Sequence, residues 1–418
     1  MTSAAAEWKR GWTLVLSASV GFSFFSIMTT SMGVFMGPLG EEFGWSRTLL
    51  SAGLPIAGVI NLVLAPFAGM LVDRYGARWM ALPGLAAMIA ATCSFALIDG
   101  SEAQWIGIWV FYAFSGAIGS MTVWSAAVSG AFEQARGLAL GLTLAGTAVA
   151  QAVTPPLSSY LIEAFGWRMA YVILGVGWGG VALFLCVLFF FDRHDRQRRS
   201  PETTPEPAAE LPGLTIAQAW RDRGLWQIGL STFVLMVLTI GFLIHQVPIL
   251  TASGVTAGVA AWLAGLGGVA GIIGKLVTGV LIDRYRANWV GGITLGATTL
   301  VFAFLLDGIR TPALIVVAIL INGYSAGTKL QICTYLTTRY AGLRNFGTVF
   351  GFMTILITGG SALGPLLAGM AFDMTGGYTP FLIAGMIGCL VCGLLILTLP
   401  PYPDWRTGQP AVRAPAAA

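Results

Sequence analysis

GMLVDRYGARW, residues 69–79, returns as GVLIDRYRANW, residues 279–289. Each copy ends a long apolar run with Asp-Arg, turns through a few charged residues and enters another apolar run. A motif repeated at the same place in two halves of a chain marks an internal duplication. A second pair supports it: Arg136 to Gly175, with its Gly-rich stretch, resembles Arg344 to Gly385.

Outward from that repeat, the chain is 56% hydrophobic and 10% charged over 418 residues, against about 25% charged in an ordinary soluble domain. A hydrocarbon core about 30 Å thick takes roughly 20 apolar residues per helix. Uncharged runs of that length lie near 11–36, 48–72, 79–98, 104–130, 137–161, 169–191, 225–250, 258–282, 289–306, 312–336, 346–371 and 377–400. The expectation is an all-α integral membrane protein with twelve transmembrane helices in two pseudo-symmetric six-helix bundles. Such duplicated bundles, with a site near the midplane, are a common transporter architecture.

The 55 glycines argue for close helix packing, because a bilayer tolerates Gly where backbones approach. The first run ends in Glu41, Glu42 and Phe43 without a small-residue cleavage site and reads as a retained helix. Cys93, Cys186, Cys333, Cys389 and Cys392 all fall inside spans, as small apolar residues and not as a disulfide framework.

Most of the 22 Lys and Arg lie at the N-terminus, in the even-to-odd loops, in the central segment and at the C-terminus. Only Arg47, Arg168 and Arg310 fall on the other side, and Lys275 and Lys329 lie within spans. The positive-inside rule then puts both termini in the cytoplasm, and the expected location is the bacterial inner membrane. The net charge of +4 belongs to those loops and implies no nucleic-acid partner. Residues 192–222, with RHDRQRRSPETTPEPAAE, are charged, Pro-rich and poor in large apolar side chains, and read as a flexible linker. The expected domains are 1–191, the linker 192–222, and 223–418 with a short cytoplasmic tail.

These residues resemble the major facilitator superfamily. Its loop signature after the second helix is similar to Gly69, Asp73, Arg74, Gly76 and Arg78, and the weaker second copy keeps Gly279, Asp283 and Arg284. FEQARGLALGLTLAGTAVAQ from Phe132 resembles the fifth-helix signature of monocarboxylate transporters and oxalate:formate antiporters, and EEFGWSR after the first span is similar to bacterial members. The resemblance implies alternating access by rocking of two bundles. Asp73, Arg74, Arg78, Asp283 and Arg284 would form a conformational latch or anchor their loops.

All 18 acidic residues sit in loops, the linker or helix ends, so a cation inside a span has no evident partner there. Placing an ammonium mid-helix costs about 2.5–3.5 kcal/mol on insertion scales, and such residues usually face a polar interior. Lys275 and Lys329 are the two cases, each seven residues from the cytoplasmic end of its span. Asn322, Ser325 and Lys329 share one helical face, and Lys275 pairs with Thr278. Both stripes are expected to line one aqueous cavity; the alternative is that each lysine snorkels to the interface.

Further hydroxyl stripes run through Ser19, Ser23, Ser26 and Thr30, through Thr143, Thr147 and Gln151, and through Thr354, Thr358 and Ser361. Such side chains either wet a cavity or bond their own helix. Trp124 and Tyr324 are candidate cavity walls or packing residues. His245, before Gln246 and Pro248, either gates and titrates or packs through hydrogen bonds.

In the related transporters, Lys275 stands where an arginine holds substrate carboxylate, which keeps the charge and loses the bidentate fork. The helix-1 lysine of animal monocarboxylate transporters corresponds to Met28, their helix-8 aspartate to Gly271, and the second cation of the oxalate antiporter to about Ile357. The expected substrate is therefore a small organic anion, foremost a monocarboxylate of the lactate or pyruvate kind, with a proton as a candidate co-substrate. The substrate set is Lys275, Lys329, Asn322, Ser325, Thr278, Gln151, Thr147, Ser26, Thr30, Trp124, Tyr324 and His245. A dicarboxylate exchanger using both lysines is the alternative; an exporter of hydrophobic compounds lacks its intramembrane carboxylate. The expected protein is a monomer in the lipid bilayer without cofactor or metal. No phosphate loop or nucleophile constellation points to an enzyme.

Overall fold

The computed structural model describes residues 4–119, 121–132, 135–191, 213–342 and 344–403. Among them the chain is helical, and its single β feature is an isolated bridge between Gly213 and Gly342. The first half runs α1 (Ala4–Phe25), α2 (Ile27–Phe43), α3 (Arg47–Ser51), α4 (Gly53–Tyr75), α5 (Ala77–Ser94), α6 (Glu102–Ile118), α7 (Met121–Ala131), α8 (Arg136–Ile173) and α9 (Gly179–Phe189). The second runs α10 (Ile216–Arg221), α11 (Arg223–Ala252), α12 (Ala257–Arg284), α13 (Ala287–Gly296), α14 (Thr299–Phe304), α15 (Pro312–Ala341), α16 (Phe346–Thr375) and α17 (Thr379–Leu397).

Eleven helical stretches of the described residues are long and apolar enough to cross a membrane. One of them, Leu138–Phe189, has 52 residues, which at 1.5 Å per residue is about 78 Å and far more than one crossing needs. Gly166, at φ 79° and ψ 160°, is non-helical inside it, a conformation open to a residue without Cβ. The break divides the stretch into two spans, which makes twelve among the described residues, as expected.

The chain divides into two compact units. The first unit holds Met1–Thr203 together with Gly241–Val269 and Pro365–Tyr378; the second holds Thr204–Ile240, Ala270–Gly364 and Thr379–Ala418. The C-terminal end of α11, the N-terminal half of α12 and the C-terminal end of α16 thus pack with the first-half helices. Residues 192–212 of the linker lie outside the described residues. In the rest of it, Thr215 and Gln218 form a capping box at the start of α10, which satisfies otherwise orphaned N–H groups and holds a short helix.

In the first unit an aromatic cluster fills the interior: Phe95 meets Trp105, Trp109 and Tyr112 edge-on at 5.2–6.3 Å and stacks on Tyr171, which stacks on Phe35 at 3.9 Å. Close backbone approaches add to it. A Cβ on Gly268 of α12 would lie 2.4 Å from the Ala152 nitrogen of α8, and one on Gly33 of α2 2.4 Å from the Ile244 oxygen of α11. In the second unit α12 and α15 cross where a Cβ on Gly327 would lie 2.1 Å from the Gly271 oxygen. Small residues substitute here for the hydrophobic drive that lipid does not supply between helices.

Candidate functional site

Gly271, Gly274 and Thr278 define the face of α12 turned to α15. Gly274 lies so close that a Cβ would be 2.5 Å from the Tyr324 oxygen, and the Thr278 and Tyr324 hydroxyls are 3.1 Å apart. Lys275, four residues after Gly271 and three before Thr278, stands on the flank of that face. It is partly buried and has no hydrogen bond or ion pair with the described residues. Thr278 and Tyr324 carry two hydroxyl protons and share one in their mutual bond, so the pair keeps a spare donor. An ammonium and a hydroxyl donor one helical turn apart are what a carboxylate needs.

Lys329 is not brought to the same place. On α15 it lies two residues past Gly327, about 200° round the helix from the α12 contact. Its Nζ donates to Thr239 Oγ1 of α11 at 2.5 Å, and that hydroxyl donates to Leu235 O at 2.6 Å. The residue is 7% exposed and borders a cavity of about 10 Å³ with Thr232, Cys333 and Ile332, the threshold for one water. The expected common cavity for both lysines is therefore corrected: α15 turns Lys329 inward to α11. Neither does the Asn322, Ser325, Lys329 stripe act as one wall, since Ser325 accepts from Thr298 at 2.8 Å and Asn322 is 2% exposed with its Oδ1 unpartnered among the described residues.

In the first unit the hydroxyl stripes largely serve their own helices. Ser26 Oγ donates to Phe22 O at 3.5 Å, Thr30 Oγ1 to Ser26 O at 3.0 Å and Thr147 Oγ1 to Leu144 O at 2.9 Å. Ser23 Oγ donates to Val20 O at 2.7 Å and also accepts from the Trp178 indole at 2.9 Å. Gln151 is partly buried and without a hydrogen bond to the described residues. Trp124 is fully buried, with Nε1 donating to Gly119 O at 2.8 Å, a packing residue and not a cavity wall.

His245 is fully buried in a polar knot. Its Nε2 lies 2.9 Å from both Pro365 O and Ser51 Oγ, and its Nδ1 2.9 Å from Tyr378 Oη. A carbonyl only accepts, so Nε2 carries the proton and Nδ1 accepts from the tyrosine. Ser51 donates its own proton to Arg47 O at 2.7 Å. Both ring nitrogens are spoken for, which leaves His245 out of the substrate set and makes it a tie between α3, α11 and α16.

Of the latch residues, the Asp73 and Asp283 side chains lie outside the described residues. Arg74 is exposed over the Tyr75 ring at 5.3 Å, and Arg284 is exposed. Arg78 caps the C-terminal end of α9, donating to Phe190 O at 2.7 Å and Val187 O at 2.8 Å, with its guanidinium 4.0 Å from the Phe191 ring. Its part is to satisfy orphaned carbonyls. Asp373, Ser51, Tyr378 and Thr239 were not singled out from the sequence; each acquires its partner from a distant segment, and no local spacing announces that.

Among the described residues, twelve apolar spans, two of them carrying a lysine of which Lys275 has no partner there, define a polytopic membrane transport protein. The profile of the Major Facilitator Superfamily matches residues 16–253 and 239–418, and the chain belongs to that superfamily: it is a multi-pass membrane transporter. Monocarboxylate transporter 13 of Bos taurus is 24% identical over 399 residues, covering 94% of this chain and 90% of that one. Monocarboxylate transporter 12 of Rattus norvegicus is 25% identical over 295 residues, which span 61% of this chain and 58% of the relative. Among solved structures, the nucleoside transporter NupG superposes with a TM-score of 0.72 at 12% identity, covering 93% of this chain and 98% of that one, a likeness of fold alone.

Proposed function

We propose that this transporter carries a small organic anion, foremost a monocarboxylate of the lactate or pyruvate kind, by alternating access. The observation that carries the reading is Lys275: a partly buried ammonium on α12 with no partner among the described residues, one turn from the Thr278 and Tyr324 hydroxyls. A visiting carboxylate offsets the cost of that desolvated cation, and the spare hydroxyl proton fixes its second oxygen. The names of the relatives support a carboxylate as the first substrate class to try. The tie of Lys329 to Thr239 favours one carboxylate over two. A proton moves with the anion in this reading, and both termini face the cytoplasm of a bacterial inner membrane. The family consists of transporters, and the site is read as binding and not as an enzyme's.

The test is uptake of radiolabelled lactate and pyruvate into proteoliposomes by the wild type and by Lys275→Gln. Saturable uptake is expected in the former and absent from the latter at equal reconstituted amount; unimpaired uptake by the variant overturns the carboxylate clamp.

A further inference from the structure

The last residues of the linker, 213–222, pack within the second unit at the level where two spans begin. Leu214 N donates to Ala341 O at 2.8 Å and Asn345 Nδ2 to Leu214 O at 2.9 Å, and a Cβ on Gly213 would lie 2.7 Å from the Arg344 nitrogen. These bonds lay α10 against the first turns of α11 and α16. Between the three helices runs an apolar groove with about 320 Å³ of space, floored by Ile216, Trp220, Trp226, Val349, Phe352 and Ile355. That volume lies in the range of small-ligand pockets.

The groove is aromatic and preset. The Trp220 and Phe352 rings lie 4.7 Å apart and the Trp226 and Phe352 rings 5.5 Å apart, and the Trp226 indole donates to Trp220 O at 2.9 Å. Yet Trp220 is 53% exposed and Ile355 49%. The membrane-crossing stretches of α11 and α16 start at Arg223 and Thr348, so these rings stand where indoles collect, at the boundary of hydrocarbon and headgroups. Beside them Arg221, Arg223 and Arg344 are exposed and make no hydrogen bond or ion pair with the described residues. Asp222, between two of them in sequence, accepts the Leu225 amide through Oδ1 at 2.8 Å, and three arginines against one carboxylate leave the rim net positive.

We propose that this groove is a binding site for one anionic phospholipid, an acyl chain lying along Trp220, Trp226 and Phe352 and the phosphate resting against Arg221 and Arg223. The apolar floor and the unpaired basic rim complement the two parts of that molecule, and a zwitterionic lipid meets the rim with no net charge. The bound lipid fastens α10, and with it the end of the linker, to the turn between α15 and α16.

The test uses the purified full-length chain in detergent, titrated separately with phosphatidylglycerol and phosphatidylcholine brominated on one acyl chain. The reading is the part of the tryptophan quenching that Trp220→Phe with Trp226→Phe abolishes. Saturable quenching by the phosphatidylglycerol at lower concentration than by the phosphatidylcholine is expected. Arg221→Gln with Arg223→Gln raises the phosphatidylglycerol half-saturation roughly 30-fold, each basic side chain near an anionic surface giving about a five-fold factor, while lysine at both positions retains binding. Equal site-specific quenching by the two lipids overturns the proposal, as does an unchanged half-saturation in the glutamine variant. Displacement of the brominated lipid by glycerol phosphate at matching concentration refutes the acyl-chain part.

Discussion

The carboxylate of Asp373, on α16, caps a helix that begins 326 residues earlier: Oδ1 accepts the Arg47 N–H at 3.1 Å and Oδ2 the Thr48 N–H at 2.9 Å. The Thr48 hydroxyl also donates to Oδ2. One turn earlier on α16, Gly369 makes the approach possible, since a Cβ there would be 2.9 Å from Thr48 N. An acid at a helix N-terminus satisfies orphaned amides and faces the positive end of the helix dipole.

Asp373→Ala removes both acceptors. Losing a cap costs about 1–2 kcal/mol, so the Arg47 and Thr48 amides should exchange with solvent deuterium roughly ten-fold faster, while peptides from α13 and α17 exchange as before. Unchanged exchange across residues 47–51 would show that the capping geometry contributes nothing to closure of this segment.

His245→Ala leaves Ser51, Tyr378 and Pro365 O buried around a void. An unsatisfied buried group costs about 1–3 kcal/mol and the cavity adds to it. The detergent unfolding midpoint should drop well below that of the wild type, with His245→Gln falling between because its amide restores one donor and one acceptor. An alanine variant as stable as the wild type contradicts the knot.

Gly268→Val places a side chain against the Ala152 backbone, where even a Cβ meets the nitrogen at 2.4 Å. Backbone cannot yield as a side-chain tip does, so transport should fall sharply and the unfolding midpoint with it. Gly141→Ala is the contrast: nothing lies within 4 Å of its Cβ, and the exchange of Gly for Ala in a helix interior stabilises by up to about 1 kcal/mol. Equal effects of the two substitutions would remove close packing as the explanation.

Lys275 and Lys329 should part company on substitution. Lys329→Met keeps the volume and removes a buried cation, a change that is often neutral or stabilising, and anion uptake should keep its KM within about three-fold. Lys275→Arg should preserve uptake with an altered KM, and Lys275→Met should abolish it. The reverse pattern, with Lys329 indispensable for binding and Lys275 expendable, would move the anion site to α11 and α15.

How far the residues spoke for themselves differs by feature. Run length and the Asp-Arg repeat led to twelve spans, because span hydropathy is local and needs no knowledge of neighbours. Helical spacing also put Lys275 beside Thr278, one turn away on a single helix. It went astray with Lys329, where periodicity gave a shared face with Asn322 and Ser325 but not which neighbour that face meets. His245 shows the same limit, for its partners Ser51 and Tyr378 are 194 and 133 residues away.

From the amino-acid order alone came the membrane class, the duplicated halves and the two intramembrane cations, all set by composition and short-range period. Only the packed chain decided the rotation of each helix, and so which cation stays unpartnered, which threonine takes the other, and that the ends of α11 and α16 join the first unit. The physical reason is that helix rotation is chosen by close backbone approach at residues such as Gly268 and Gly327 and by hydrogen bonds spanning hundreds of residues, neither of which leaves a mark in any window of sequence.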